Sequence, residues 1–229
     1  MIKRKSVIFF LILFLITFTL YAQESILTAA DFFKSVSSKY GTINEYEANM
    51  DIKAGKESMT GKVSFKRPNL LRIDFSNPQE QVIVFNGDML TIYLPGPKAI
   101  LNQSVQDSSV GSSANLATPL GLQLMSRYYT ISYLNSPEAE DLDAESENPE
   151  KVIKLRLVKR TSAENFDQII LSINPKTLLI RRVEATSISK QAITFDFTNY
   201  VLNNGIPANR FIYDPPSSAN NYNNFVYSE

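Results

Sequence analysis

Most of the chain alternates apolar and polar residues with the period of two that is typical of β-strands. In the stretch from Gly61 to Phe75, alternation through Val63 and Phe65 stops at Pro68 and resumes at Leu71. A second signal is Asn86-Gly87 between two apolar runs, which predicts a tight β-hairpin. The pattern as a whole predicts about ten to eleven strands, within residues 45–55, 57–67, 69–76, 81–95, 151–160, 165–177, 179–189 and 192–207.

Two segments have helical rather than strand spacing. Residues 25–40 carry apolar residues near helical spacing and predict an N-terminal amphipathic helix. Residues 108–130 lack strict alternation, and Pro119 and Gly121 interrupt them, so broken short helices are expected there. This central segment is a candidate mobile lid, and its apolar residues are Leu116, Leu120, Leu124 and Met125.

These elements predict an α+β fold that is mostly β. A single sheet of so many antiparallel strands must curl, and its apolar face then lines a concave interior. A sandwich or a filled barrel without a ligand is the alternative. The helical segments are few for covering so much sheet, which favours an open cavity.

Arg67 is the residue that fits least well with a filled interior. It shares the parity of Val63 and Phe65, so a continuous strand would direct its guanidinium toward the apolar face. An unpaired buried arginine is very costly, and the side chain therefore needs carbonyls, a carboxylate or water. An arginine whose head group reaches solvent at the rim is the alternative.

The first 22 residues have the features of an export signal. Lys3, Arg4 and Lys5 precede an apolar run, and we expect cleavage after Ala22. Leu20 stands where a small residue is preferred, which leaves an uncleaved anchor as the alternative. The expected organisation is a signal peptide (1–22), one domain (23–216) and a poorly ordered polar tail (217–229).

Composition excludes several classes of chemistry. The chain has no His and no Cys, so the usual zinc ligands, a His base, a thiolate nucleophile and a lipid-bearing Cys are all absent. No phosphate-binding or nucleophile-elbow motif occurs, and neither a cofactor nor a metal is expected. A hydrolase that uses a pair of carboxylates stays open, because the geometry of such a pair is invisible in sequence.

Charge also narrows the choice of partners. Residues 23–229 carry 20 Lys and Arg against 23 Asp and Glu, and this balance gives no general attraction to nucleic acid. Seven of the acidic residues lie within residues 136–150, where no basic residue occurs, and a solvated loop is expected there.

The stretch GKVSFKRPNLLRIDFSNPQEQVIVFNGDMLTIYLP, residues 61–95, resembles the periplasmic outer-membrane lipoprotein carrier family (LolA-like). The closing FIYDPP, residues 211–216, is similar to that family's last motif, and the order of elements also agrees. The resemblance implies an incomplete antiparallel β-barrel with an N-terminal helix and a central helical lid over a cavity for acyl chains. Together with parity, it marks as cavity residues Val63, Phe65, Leu71, Ile73, Phe75, Leu90 and Ile92.

The same resemblance implies a role for Arg67 and a function for the protein. Arg67 would latch the lid by hydrogen-bonding its backbone carbonyls, and Ile73 and Thr91 stand where relatives often have aromatic residues. The expected protein is a monomeric periplasmic carrier, not an enzyme, that moves lipoproteins from an inner-membrane release complex to an outer-membrane acceptor with only transient membrane contact. The alternative is a regulatory module that senses lipid or lipoprotein.

Overall fold

The computed structural model describes residues 27–104, 119–162 and 164–224. The predicted export signal, its cleavage point and Leu116 lie outside these ranges. Within them, no helix is both long and apolar enough to cross a membrane.

The described residues form two α-helices, thirteen strands and one short 3-10 helix. The helices are α1 (Ala29–Gly41) and α2 (Pro119–Tyr128), and the 3-10 helix is Ala208–Phe211. The strands are β1 (Glu45–Ala54), β2 (Glu57–Lys66), β3 (Leu70–Asn77), β4 (Val82–Phe85), β5 (Met89–Leu94), β6 (Ala99–Ser104), β7 (Tyr129–Tyr133), β8 (Glu140–Asp141), β9 (Lys151–Lys159), β10 (Phe166–Ile173), β11 (Ile180–Ser187), β12 (Ala192–Leu202) and β13 (Asn220–Asn223).

The strands make one open, curved sheet in the order β13-β6-β5-β4-β3-β2-β1-β12-β11-β10-β9-β7, with β8 beside β9. All pairs are antiparallel except β13 with β6. The N-terminal and C-terminal halves of the chain therefore meet where β1 pairs with β12. The predicted fold class, a mostly β incomplete barrel with an N-terminal helix, is confirmed.

Helix α1 begins after Thr28, whose Oγ1 accepts a hydrogen bond from the Asp31 backbone N–H at 3.1 Å. Phe32, Phe33 and Val36 face the core. The predicted helix is confirmed, although it starts four residues later than expected, and Leu27 before it is exposed. Burial of one apolar stripe, rather than intrinsic propensity, holds such a short helix in place.

The strand pattern missed the edges of the sheet. Strands β6 and β7 were not predicted, and β13 lies in the tail that was expected to be poorly ordered. Backbone N–H groups of Asn220 and Asn224 donate to Lys98 and Asn102 carbonyls, and the Asn102 side-chain amide donates to the Asn221 and Asn223 amide oxygens. The expectation of disorder is thus wrong for 220–223, because these hydrogen bonds replace the apolar burial that the sequence lacks.

The acidic segment is also more ordered than expected. Asp143 pairs with Arg182 at 2.8 Å, and Glu150 pairs with Arg181 at 2.6 Å. Glu140 and Asp141 form β8 and pair with lysines of β9. The expected solvated loop is thus replaced at Glu140 and Asp141 by a short strand beside β9, and Asp143 and Glu150 find their partners on β11, more than thirty positions away.

Candidate functional site

An apolar cavity of about 310 Å³ lies on the concave face of the sheet. Among the described residues, fifteen line it, and none of them carries a charge. They come from α1 and from strands in both halves of the chain: Tyr40, Tyr46, Met50, Val63, Leu71, Ile73, Ile83, Phe85, Leu90, Ile92, Ile180, Val183, Phe195, Phe197 and Tyr200.

Cross-strand register builds one wall of this cavity. Val63, Ile73, Ile83 and Ile92 are successive partners across β2, β3, β4 and β5. Leu71, Phe85 and Leu90 form a parallel row beside them. Because alternate residues of a strand point to the same face, two such rows produce a continuous apolar surface.

Three tyrosines form the polar end of the cavity. The Tyr200 hydroxyl donates to the Ile180 carbonyl at 2.9 Å, and the Tyr40 hydroxyl accepts from the Ile180 backbone N–H at 3.1 Å. The two hydroxyl oxygens lie 3.4 Å apart. The Tyr46 ring packs on Phe65 and on Tyr200, with ring centroids 5.4 and 5.6 Å apart.

These tyrosines remain neutral in any ordinary buffer. Burial raises the pKa of Tyr40, of Tyr46 and of Tyr200, and in Tyr200 the neighbouring phenols add to the increase. The cavity therefore offers hydroxyl dipoles at one end and hydrocarbon elsewhere, with no titratable group that is charged at neutral pH among its described lining residues.

Five of the seven predicted cavity residues line the cavity: Val63, Leu71, Ile73, Leu90 and Ile92. Phe65 does not, because it is fully buried beneath Tyr46. Phe75 packs in the core outside the cavity, opposite Gly61, where a register shift bends the strand pair. Glycine is required there, since a Cβ would lie 2.5 Å from the Asp74 carbonyl oxygen. Lipid binding by any of these residues stays a prediction.

Sequence reasoning missed the other half of the wall. This half includes Phe195 and Phe197 on β12 and Val183 on β11. The alternation within these strands is visible in the sequence, but the pairing of β1 with β12, which brings them to the cavity, is not. Tyr40 was identified only as a helix residue. Its cavity position depends on how α1 packs against the sheet.

Of the predicted lid residues, Leu124 and Met125 do not line this cavity. Met125 is buried in the core, Leu124 is half-buried, and the side chain of Leu120 is not described. Helix α2 continues directly into β7 and contacts α1 and β7. This connection holds α2 next to β7, at the edge of the sheet, and the role of the segment as a lid stays a prediction.

Arg67 lies in a turn, not in a strand. Strand β2 ends at Lys66, so the parity argument does not extend to Arg67, and its side chain is exposed. The guanidinium Nε donates to the Ile43 carbonyl at 2.9 Å, and Nη2 donates to the Tyr40 and Gly41 carbonyls. The prediction of a guanidinium that bonds backbone carbonyls agrees with this geometry. These carbonyls belong to the end of α1 and the residues just after it, and latching of the central segment by Arg67 stays a prediction.

A larger and more polar groove of about 900 Å³ lies on the other side of Arg67. Its wall includes Lys34 and Ser37 of α1, Ser126 of α2, and Arg160 after β9. Charged side chains, among them Asp31, Lys34 and Arg160, make this groove unlike the cavity.

Among the described residues no cluster of His, Cys, Asp and Glu could hold a metal ion. Glu140, Asp141, Asp143 and Glu150 are held in ion pairs with Arg and Lys. The cavity itself contributes no carboxylate among its described residues, so the arrangement there supports binding rather than acid-base chemistry.

Comparison with known proteins decides the family. A model of the family described as "Outer membrane lipoprotein carrier protein LolA" matches residues 50–214, more than half of the chain. The chain belongs to the LolA family. The resemblance inferred from residues 61–95 is therefore confirmed.

Relatives in the LolA family extend the match. The outer-membrane lipoprotein carrier protein of Leptothrix cholodnii is 27% identical over 192 residues, covering 82% of this chain and 81% of that protein. That of Haemophilus ducreyi is 35% identical over 100 residues, but the match spans only 44% of this chain and 42% of the relative.

An uncharacterized conserved protein from Thermus thermophilus has the same fold, with a TM-score of 0.54, 12% identity and coverage of 85% of this chain and 98% of that one.

Proposed function

We propose that this LolA-family protein is an exported carrier that holds the acyl chains of lipoproteins in the concave cavity and moves them through the periplasm. Its cargo would come from an inner-membrane release complex and pass to an outer-membrane acceptor. The observation that carries the proposal is the uncharged apolar cavity on the concave face of a LolA-family sheet.

The energetics of the cavity suit a carrier. Each buried CH₂ gains about 0.8 kcal/mol, so an acyl chain in water is strongly disfavoured. Moving that chain from a bilayer into an apolar cavity is nearly neutral, and transfer then requires no chemical step. Flexible Met50 and the aliphatic rows of β2 to β5 offer adaptable contacts without directional chemistry.

The test is transfer of a lipopeptide by residues 23–229, purified after export. A diacylated lipopeptide is incubated with the protein, the complex is isolated by gel filtration, and release into acceptor vesicles is followed with time. The matched control is the same peptide without acyl chains. We expect a stoichiometric complex only with the acylated peptide.

Three outcomes separate the candidates. Stoichiometric binding followed by release of intact lipopeptide supports the carrier. Binding without release into any acceptor contradicts transfer and favours the sensing module. Catalytic removal of the acyl chains would contradict both the carrier and the sensing module, and it would support the hydrolase.

A further inference from the structure

The cavity lacks a counter-ion for an anionic ligand. None of its described lining residues is basic, and Arg67 is occupied by the carbonyls around the end of α1. Arg181, whose charge acts on Tyr200, is paired with Glu150 at 2.6 Å. An ionised carboxylate placed among these apolar groups would lose its hydration without gaining a partner of opposite charge.

The cavity does offer a hydrogen-bond donor. Because the Tyr200 proton is directed to the Ile180 carbonyl, the Tyr200 oxygen is left as the acceptor for the Tyr40 proton. Their separation of 3.4 Å is long for a hydrogen bond between hydroxyls, which is usually about 2.7–2.8 Å. In the described part of the chain the Tyr40 O–H thus has one weak acceptor, and a ligand carbonyl would improve on it.

We infer that the cavity selects the acyl chain of an uncharged ester over the ionised carboxylate of a free fatty acid, with the Tyr40 hydroxyl donating to the ester carbonyl. This inference rests on the proposed function, because it assumes that acyl chains occupy the cavity. It adds to that function a preference for esters over carboxylates, and it names Tyr40 as the hydrogen-bond donor that contributes to this preference.

The experiment compares three ligands that share one hydrocarbon chain: methyl laurate, laurate and dodecane. Each is titrated, below its aggregation limit, against protein loaded with the uncharged probe N-phenyl-1-naphthylamine. At neutral pH we expect methyl laurate to displace the probe at a concentration at least about tenfold lower than laurate does, since burial of an unpaired ion is far costlier than burial of an ester. As the pH is lowered toward the carboxyl pKa, laurate should approach the ester, because its neutral acid form fits the cavity.

Two variants test the tyrosine assignment with opposite expectations. Tyr40→Phe removes the donor and should weaken methyl laurate roughly three- to tenfold, the value of one hydrogen bond, while dodecane is unchanged relative to the wild type. Tyr200→Phe removes the competing acceptor and should keep or strengthen ester binding. Tyr213→Phe, a hydroxyl deletion on the convex side, is the positional control, and thermal unfolding is measured for all three variants.

Several results would overturn the inference. Laurate binding as tightly as methyl laurate at neutral pH would do so. Arg181, whose buried Nη1 has no hydrogen-bond partner among the described residues, would then be the first counter-ion to test by substitution. Equal weakening of ester and dodecane in Tyr40→Phe would reduce Tyr40 to a structural residue. If none of the three ligands displaces the probe, it is the acyl-binding function itself that fails.

Discussion

The two faces of strand β3 carry opposite kinds of side chain, apolar on one side and charged on the other. On the concave face, Leu71 and Ile73 contribute to an uncharged wall with no directional bonds. On the convex face, Arg72 and Asp74 form a charged pair with Nη2 and Oδ1 2.7 Å apart. Successive residues of a single strand thus build an adaptable surface on one side and a fixed ionic contact on the other.

The convex contact holds the C-terminal segment against the sheet. Arg72 Nη1 donates to the carbonyls of Arg210 and Ile212 at 3.1 and 3.3 Å, and the Arg210 guanidinium pairs with Asp74. The Arg72 guanidinium also lies 5.6 Å from the centre of the Tyr213 ring. Strand β3 is thus fixed by ionic contacts on its outer face, and its inner face needs none of them.

The largest expected effect comes from placing a charge on the concave face. Ile73→Asp should abolish binding of the apolar probe and of methyl laurate, because an unpaired carboxylate in the cavity is strongly disfavoured. It should also lower the free energy of unfolding by about 2–4 kcal/mol, judged from core substitutions in general. Probe titration and urea unfolding measure the two effects.

Val158→Asp is the matched control for Ile73→Asp. Val158 is another β-branched strand residue, but it lies on β9 with 41% of its surface exposed. We expect normal probe binding and a stability change within about 0.5 kcal/mol. Normal probe binding by Ile73→Asp would contradict the assignment of the concave face as the binding surface.

An intermediate effect is expected from the convex contact. Burial would raise the pKa of Asp74, but hydrogen bonds and charges from Arg72 and Arg210 outweigh it and lower that pKa. A carboxyl with a lowered folded-state pKa stabilises the fold above its unfolded-state pKa, and this stabilisation is lost as the pH falls through the folded-state pKa. Asp74→Asn should therefore cost about 1–3 kcal/mol at neutral pH and less in acid.

The measurement is urea unfolding of wild type and Asp74→Asn at several pH values, with amide hydrogen exchange at Arg210–Tyr213. Exchange there should accelerate in the variant, whereas probe affinity should remain that of the wild type. A variant that also loses the probe would show that the convex contact shapes the cavity, which contradicts the independence of the two faces.

The smallest effect is expected at Arg67, which lies between the two regions. Arg67→Leu removes the cation from the end of α1 and should cost roughly 1 kcal/mol, because the side chain is exposed and helix-terminus contacts of this kind are modest. Arg67→Lys should restore part of this, since an ammonium keeps the charge but lacks the planar fork that reaches several carbonyls. Equal stability of the three proteins would make Arg67 a rim residue without structural effect.

The sequence by itself determined the class of fold and one wall of the cavity. Strict alternation in β2, β3 and the hairpin of β4 and β5 is a local property, and the Asn86-Gly87 turn sets its register. The structure bears this out, since the Asn86 side chain accepts from the Asp88 and Met89 N–H groups. Alternation together with the resemblance to the LolA family could therefore assign Val63, Leu71, Ile73, Leu90 and Ile92 to the concave side in advance.

Only the tertiary structure decided what lies opposite that wall and what Arg67 holds. Pairing of β1 with β12 joins residues that are about 150 positions apart, and it brings Phe195, Phe197 and Tyr200 to the cavity. A period-two pattern gives the parity of a residue within its strand but not where the strand ends. Arg67 was therefore counted as a strand residue, although β2 ends one residue before it, at Lys66. The polar end of the cavity and the contacts of Arg72 and Asp74 with the C-terminal segment are long-range arrangements, which no local pattern of residues encodes.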